Sequence, residues 1–212
     1  MASHHLTIHV SPCRLPDVTA PSRSDTPITV WTVGHSTRSG EEFVALLDAY
    51  DIELVADVRR FPASRRLPQF GSDALAERLS VAGIAYQWLP ALGGRRRPDP
   101  DSPNVGWRHP AFRAYADHVA TEEFADGLFE LLMLAPGLRT TLMCSEILWW
   151  RCHRRLIADV LVSLGVTVVH IQTASVAEVH RLAPPARLVR GRLTYDAVAT
   201  EQAESASSAS QP

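Results

Sequence analysis

Apolar and polar positions along residues 27–196 alternate between a strand-like and a helix-like period. The β-branched run Ile28–Val33 predicts a first strand. Ser39 and Glu42 have the spacing of a capping box, and the apolar residues that follow recur at helical intervals, so an amphipathic helix is expected. These apolar residues are Phe43, Leu46, Leu47 and Tyr50.

The same alternation continues along the chain. A second strand should end near Asp57, residues 61–71 should form a proline-containing loop, and a helix over Ser72–Val81 should stop at a glycine. "GIAYQWLP" predicts a third strand, residues 92–110 a long irregular segment, and residues 109–135 one or two helices. "LRTTLMCSE", "WWRCHRRLIADVLVSLG" and "VTVVHIQ" then predict a fourth strand, a helix and a fifth strand.

Strands that alternate with helices favour an α/β fold. We therefore predict a single domain over residues 27–196, with a mostly parallel sheet of about five strands and helices on both faces. Residues 1–26 and 197–212 lack a sustained period and are rich in small, polar or proline residues. Both segments are predicted to be flexible tails.

Polar and titratable residues follow four of the predicted strands. In an open parallel sheet, ligands bind beyond the carboxyl ends of the strands, so these residues are expected to converge on one site. They are Gly34, His35, Ser36, Thr37 and Arg38 after the first strand, Asp57, Arg59 and Arg60 after the second, Cys144, Ser145 and Glu146 after the fourth, and His170 and Gln172 at the fifth.

Two carboxylates in this set are candidates for acid, base or nucleophilic roles. They are Asp57 and Glu146, which could divide these roles if they face one cleft. Asp57 closes an apolar run beside arginines, which suits a structural ion pair equally well. His35 and His153 are candidate proton carriers or orienting groups.

An arginine cluster marks the start of the helix after the fourth strand. Arg151, Arg154 and Arg155 would each oppose the helix dipole there by about 0.3–1 kcal/mol, a cost that an anionic ligand or nearby carboxylates would offset. The predicted anion clamp for a phosphate or carboxylate consists of Ser36, Arg59, Arg65, Arg66, Arg151, Arg154 and Arg155.

The segment "LMCSEILWWRCHRRL" also suggests thiol or zinc chemistry through Cys144, Cys152 and His153, with His35 or His170 as further ligands. The spacing C-x7-C-H is not one of the usual zinc-ligand patterns, so no metal ligands are assigned, and a metal-dependent protein stays a third hypothesis that elemental analysis would test. Cys152, near a helix start and arginines, is a candidate catalytic thiol with a lowered pKa. Cys144 is a second candidate, although inert core packing is the simpler role for it.

Residues 59–108 combine arginines with aromatic residues, a pattern that suits contacts to a nucleic-acid backbone and stacking on bases. The pattern suits a solvated loop equally well, since all 21 basic residues of the chain are arginine. Both interpretations remain open. The residues concerned are Arg59, Arg60, Arg65, Arg66, Arg78, Arg95, Arg96, Arg97, Arg108, Phe61, Phe70, Trp88 and Trp107.

Composition and charge argue against several classes of protein. A formal net charge of −2 provides no global basic field for a polyanion. Three cysteines are too few for a disulfide framework, and the first residues lack the apolar core of a secretory leader. No apolar run reaches the roughly 18 residues that a membrane span requires. We expect a soluble protein of the reducing cytoplasm without membrane association.

Six segments of the chain, in order, resemble the family catalogued as domain of unknown function 488. They are "TVGHSTRSGEEFVALL", "LVADVRRFPASRRLPQF", "GIAYQWLPALGGRR", "LMCSE", "RCHRRLIADVL" and "VTVVHI", which together cover most of residues 29–171. The resemblance implies a cytoplasmic α/β protein whose chemistry is not established, with a loose association to DNA repair. The motif residues that it implies are Gly34, His35, Ser36, Asp57, Arg59, Pro62, Ser64, Arg65, Pro68, Phe70, Gly93, Gly94, Cys144, Glu146, Cys152, His153, Arg154 and Arg155.

Together, these features predict an enzyme that acts by hydrolysis or group transfer on a phosphorylated small molecule, a nucleotide or a nucleic acid. The alternative is a nucleic-acid-binding module without catalysis. The sequence predicts neither a cofactor nor an oligomeric state.

Overall fold

The computed structural model describes residues 28–63 and 65–196. The predicted tails, residues 1–26 and 197–212, lie outside the described residues, as does Ser64. No helix among the described residues is both long enough and apolar enough to cross a membrane.

Within the described residues, six strands form the central sheet. They are β1 (Thr29–Gly34), β2 (Leu54–Asp57), β3 (Ala85–Trp88), β4 (Thr140–Cys144), β5 (Thr167–Thr173) and β6 (Val176–Val179). Their order across the sheet is β3-β2-β4-β1-β5-β6, with β1 to β5 parallel and β6 antiparallel to β5. The predicted mostly parallel α/β fold is confirmed. β6 and the hairpin of β7 (Arg187–Val189) and β8 (Arg192–Thr194) were not predicted from the sequence.

In the part of the chain that the structure describes, five α-helices connect and cover the strands. They are α1 (Gly40–Asp48), α2 (Ser72–Val81), α3 (Pro110–Val119), α4 (Glu122–Leu134) and α5 (Arg154–Ser163). The capping box of α1 forms as predicted, because Ser39 Oγ accepts from the Glu42 backbone N–H at 3.1 Å and Glu42 Oε2 accepts from the Ser39 N–H at 2.7 Å.

The predicted helix over residues 149–165 is wrong at its start. Trp149–Arg151 forms a single 3₁₀ turn, Cys152 then adopts an extended conformation, and α5 begins only at Arg154. The extended residue separates the 3₁₀ turn from α5. As a result, Arg151 before it and Arg154 and Arg155 after it point in different directions.

Hydrophobic cores lie on both sides of the sheet, because successive strand residues face opposite sides and both sides are covered by helices. On one side, Val33 and Met143 pack in a cluster with residues of α1 and α2. On the other, Val30 and Leu142 pack in a cluster with residues of α3, α4 and α5. These two layers confirm helices on both faces.

The strand order brings three carboxyl ends together. The chain passes from β1 to β2, which lies on the far side of β4, so β2, β4 and β1 are adjacent. The segments that follow these strands therefore emerge side by side at one edge, which is where open α/β sheets bind ligands.

Candidate functional site

A cavity of about 620 Å³ lies at this edge, lined by the segments after β1, β2 and β4 and by parts of the long irregular segment and α3. The predicted site residues that line it are His35, Arg59, Arg66, Cys144, Glu146, Arg151, Cys152 and His153. Another depression of about 570 Å³ lies at the opposite edge, before β2 and β3, and none of the predicted site residues lines it.

Five of the predicted site residues do not line the cavity. They are Ser36, Asp57, Arg65, Arg154 and Arg155. Ser36 instead joins two loops, since its backbone N–H donates to the Ser145 carbonyl at 3.1 Å. Its φ of 52° places it in the left-handed region. Arg65 is exposed.

Asp57 is fully buried and its carboxylate is surrounded by donors. Arg59 donates from Nε to Oδ1 at 2.8 Å and from Nη2 to Oδ2 at 2.5 Å, and the Arg59 backbone N–H adds a bond to Oδ1 at 3.0 Å. The Tyr86 hydroxyl donates to Oδ2 at 2.8 Å. Burial and the Asp57 charge raise the pKa of Tyr86, which keeps this hydroxyl a donor. The arrangement is that of a buried structural ion pair.

His35 lies beside this pair at the cavity wall. Its ring stacks on Phe70 with centroids 4.0 Å apart, and its Nδ1–H donates to the Ser36 carbonyl at 2.8 Å. Its Nε2 lies 3.4 Å from Nη1 of Arg59, which can only donate. Burial lowers the pKa of His35 to about 4, so the imidazole is neutral near pH 7.

Glu146 is the one carboxylate among the described residues that line the cavity. It is half-buried, and its Oε1 accepts from the Leu148 backbone N–H at 3.1 Å. Its loop packs closely on the end of β1, because a Cβ at Gly34 would lie only 2.0 Å from the Glu146 carbonyl oxygen. Gly34 therefore allows the close approach of the two loops.

Arginines dominate the charge of the cavity. Arg59, Arg60, Arg66, Arg95 and Arg151 line it, and of these Arg59 alone forms an ion pair with a described carboxylate. Arg66, Arg95 and Arg151 are exposed. Guanidinium groups therefore outnumber carboxylates among the described residues that line the cavity.

Two thiols and an imidazole meet at the base of the cavity. Ligand atoms of Cys144, Cys152 and His153 all lie within 4.8 Å of one another. His153 Nε2 lies 3.0 Å from the Val58 carbonyl, which can only accept, so Nε2 carries a proton and donates it. The other ring nitrogen, Nδ1, lies 3.6 Å from Cys152 Sγ.

The two thiols are electrostatically distinct. A hydrogen bond between them lowers the pKa of Cys152 to about 6 against the effect of burial, with a further contribution from the Arg154 guanidinium. The same hydrogen bond, together with burial, raises the pKa of Cys144 to about 12. The cluster thus favours one thiolate, on Cys152, beside one protonated thiol.

The three arginines at the start of α5 point in three directions. Arg151 is exposed and faces the cavity. Arg154 is buried and donates to Cys152 Sγ at 3.5 Å, to Thr32 Oγ1 at 3.3 Å and to the Glu146 carbonyl. Arg155 lies over the Trp107 ring, 4.8 Å from its centroid. They do not form one cluster around a ligand.

Residues 39–161 match the model of the family described as domain of unknown function DUF488. The chain belongs to the DUF488 family. The match includes the segments after β2 and β4, whereas Gly34, His35 and Ser36 precede it. No functionally curated protein and no solved structure shows significant similarity to the chain.

Two cavity arginines of this DUF488 protein were predicted only as members of wider sets, Arg60 among the polar residues after the second strand and Arg95 among the arginines of residues 59–108. Arg60 lies three residues beyond the end of β2, and Arg95 follows the Gly93–Gly94 pair at a φ of 59°. The paired glycines were a usable signal, because a Cβ at Gly94 would lie 2.8 Å from His153 Nδ1. The long irregular segment therefore packs directly against the thiol and imidazole cluster.

The aromatic residues proposed for base stacking in the DUF488 chain divide into two groups. Phe70 and Trp107 are buried in the protein, whereas Phe61 is 64% exposed and Trp88 is 42% exposed. Three of the nine arginines also form ion pairs: Arg59 with Asp57 at 2.5 Å, Arg78 with a glutamate of α1 at 2.7 Å and Arg96 with one of α4 at 2.7 Å. Residues 59–108 therefore expose only some of the arginine and aromatic side chains that were proposed to contact a nucleic acid.

Proposed function

We propose that the cavity binds a phosphate-bearing small molecule or a nucleotide and catalyses hydrolysis or group transfer on it. One observation carries the proposal: several arginines without a described carboxylate partner and one carboxylate line the same concave site. Guanidinium groups bind phosphate oxygens through paired, charge-assisted hydrogen bonds.

The size of the cavity supports a small ligand. Its volume of about 620 Å³ falls within the range of roughly 300–1,000 Å³ that is usual for small-molecule and cofactor sites. Arg66, Arg95 and Arg151 are the proposed anion-binding groups, because they are exposed and have no described ion-pair partner. Arg59 has a different role, since its guanidinium is held by Asp57.

Glu146 is the proposed acid–base group. It is the cavity carboxylate, and its hydrogen bond with the Leu148 N–H fixes the position of one of its oxygens. The neutral His35 and the Val58-bonded His153 supply orienting groups on the same wall. Acid–base assistance by a positioned side chain contributes about 10²- to 10⁴-fold to a rate.

Binding is tested by calorimetry with inorganic phosphate, pyrophosphate and nucleoside mono- to triphosphates. Arg66→Ala and Arg151→Ala should each weaken the affinity for the bound compound by about tenfold, the effect of losing one charge-assisted hydrogen bond. Arg192→Ala on β8, an exposed arginine that does not line the cavity, is the control and should bind normally. Absence of binding by every compound would refute the proposal.

Catalysis is tested with the compounds that bind. Glu146→Gln should lower their turnover by about 10²- to 10⁴-fold while leaving their affinity nearly unchanged. Full turnover in this variant would remove Glu146 from the mechanism, even if the arginines bind the anion.

Nucleic-acid binding is a second candidate, favoured by Phe61 at the cavity rim. The ring is 64% exposed, and the Arg60 guanidinium lies 6.0 Å from its centroid, an arrangement suited to stacking a base. Single-stranded oligonucleotide binding should then weaken steeply with added salt and be reduced by Phe61→Ala. Binding of mononucleotides without oligonucleotide binding would favour the first function.

A further inference from the structure

Cys144, Cys152 and His153 bring two sulfur atoms and a ring nitrogen close to one point in space, at the end of β4 and just before α5. We propose that these three residues bind a zinc ion whose fourth coordination position opens into the cavity. Thiolate and imidazole are the ligands that Zn²⁺ prefers, and sites with three protein ligands leave one position for water or substrate.

The spacing of the three ligand atoms fits tetrahedral coordination. Zn–S bonds of about 2.3 Å and Zn–N bonds of about 2.0–2.1 Å place tetrahedral sulfur and nitrogen ligands about 3.6 Å apart. Cys152 Sγ and His153 Nδ1 are 3.6 Å apart, and all three ligand atoms lie within 4.8 Å of one another. Only small side-chain movements would be needed to close the site around an ion.

The hydrogen bonds around the cluster orient its ligands. His153 donates Nε2–H to the Val58 carbonyl at 3.0 Å, which directs Nδ1 toward Cys152. Metal-binding histidines usually have such a bond on the other ring nitrogen. Arg154 Nε also donates to Cys152 Sγ at 3.5 Å, which would stabilise a metal-bound thiolate.

All three residues line the cavity, so an ion at this position would be accessible to a ligand there. Gly94 contributes to this access, because any side chain at that position would collide with the His153 ring. A bound Zn²⁺ would lower the pKa of its water and supply a hydroxide, with Glu146 placed on the same cavity as proton acceptor. This last role rests on the proposed function, whereas metal binding itself does not.

Metal binding is tested on the full chain, reduced and freed of metal with a chelator, then titrated with Co²⁺ and Zn²⁺ without any phosphate compound. One equivalent of Co²⁺ should produce thiolate-to-cobalt charge-transfer absorption, and Zn²⁺ should displace it. Cys144→Ser and Cys152→Ser should each reduce this absorption by about half. Each should also weaken metal affinity by more than about tenfold, because losing a group that only hydrogen-bonds to a metal ligand already weakens affinity by about that factor. His153→Asn should weaken affinity while keeping the charge-transfer absorption.

Cys13→Ser is the matched control, because it removes the remaining cysteine of the chain and should leave the absorption unchanged. Circular dichroism of each variant identifies any that fail to fold, and the titration of the folded variants decides the result. Lack of charge transfer at stoichiometric Co²⁺, or loss of the signal in the control, would overturn the proposal. Since no anionic compound is used, the result is independent of whether the arginines bind phosphate.

Discussion

Arg59 holds Asp57 in a buried bidentate ion pair, with Nε at 2.8 Å and Nη2 at 2.5 Å from the two carboxylate oxygens. The carboxylate is closed to solvent on every side and does not line the cavity. The pair joins the end of β2 to Phe70, because Arg59 Nη1 also donates to the Phe70 carbonyl at 2.8 Å. The ion pair and this hydrogen bond together stabilise the part of the cavity wall that Arg59 forms.

Removing one partner of this pair should destabilise the protein strongly. Arg59→Met leaves a buried carboxylate without its counter-charge, and we expect the free energy of unfolding to fall by about 3–5 kcal/mol. Urea unfolding of the purified variant measures this. The neighbouring Arg60→Met is the control, since Arg60 has no described ion-pair partner, and a loss below about 1 kcal/mol for Arg59→Met would contradict the structural role.

A methyl group at Gly34 should disrupt the junction between β1 and the loop after β4. The added Cβ would lie 2.0 Å from the Glu146 carbonyl oxygen, a backbone atom that can move only with its loop. We expect Gly34→Ala to cost about 1–3 kcal/mol of unfolding free energy, as overpacking usually does. Gly137→Ala is the control, because its Cβ would meet its nearest neighbour at an ordinary 3.9 Å, and equal thermal stability of the two variants would refute this expectation.

Stability should fall in mild acid because of His170. This imidazole is buried between Thr32, at 2.7 Å from Nδ1, and His180, at 3.0 Å from Nε2, and its ring stacks on Trp149. Burial, followed by the charges of His180 and Arg154, lowers the pKa of His170 well below its ordinary value of 6.5. A histidine that stays neutral in the folded state but binds a proton when unfolded makes folding less favourable as pH falls below that value.

The expected slope from His170 approaches about 1.4 kcal/mol per pH unit well below pH 6.5, and it vanishes above that pH. Urea unfolding at pH values from 7 to 5 measures it. His170→Gln should reduce the slope, whatever its effect on absolute stability, and the remaining slope is expected from other buried histidines with a lowered pKa, such as His35. The exposed His109→Gln should keep the original slope, and an unchanged slope in His170→Gln would show that other groups cause it.

Binding of an anion should stabilise the folded protein. At a ligand concentration of 100 times Kd, linkage predicts about 2.7 kcal/mol of added stability, which raises the thermal midpoint. Sodium chloride at matched ionic strength separates specific binding from screening, because bulk salt reduces only long-range attraction. The stabilisation by pyrophosphate should shrink in Arg66→Ala, and equal shifts with pyrophosphate and chloride would count against a specific site.

Local patterns were sufficient to predict the strands that form the cavity edge. Apolar runs predicted strands that end close to Gly34, Asp57 and Cys144, and in the structure the carboxyl ends of these three parallel strands are neighbours in the sheet. Parallel strands align their ends by geometry, so a list of residues at those ends identified much of the cavity wall. The family resemblance is confirmed by the match over residues 39–161.

Side-chain direction was less predictable. Arg151, Arg154 and Arg155 are close in sequence, yet one faces the cavity, one is buried, and one lies on Trp107. The extended backbone at Cys152 causes this separation, and no helical period predicts it. The short edge strand β6 escaped prediction for a similar reason, because all four of its residues are exposed and it has no buried face to give an apolar pattern.

The sequence by itself determined the alternation of strands and helices, the cap of α1 and the edge of the sheet at which titratable groups gather, because these depend on periods and spacings within short segments. Only the tertiary structure decided that Asp57 is enclosed by Arg59 and that Cys144 meets His153. Such contacts depend on side-chain directions and on the packing of segments distant in the chain, which no local pattern encodes.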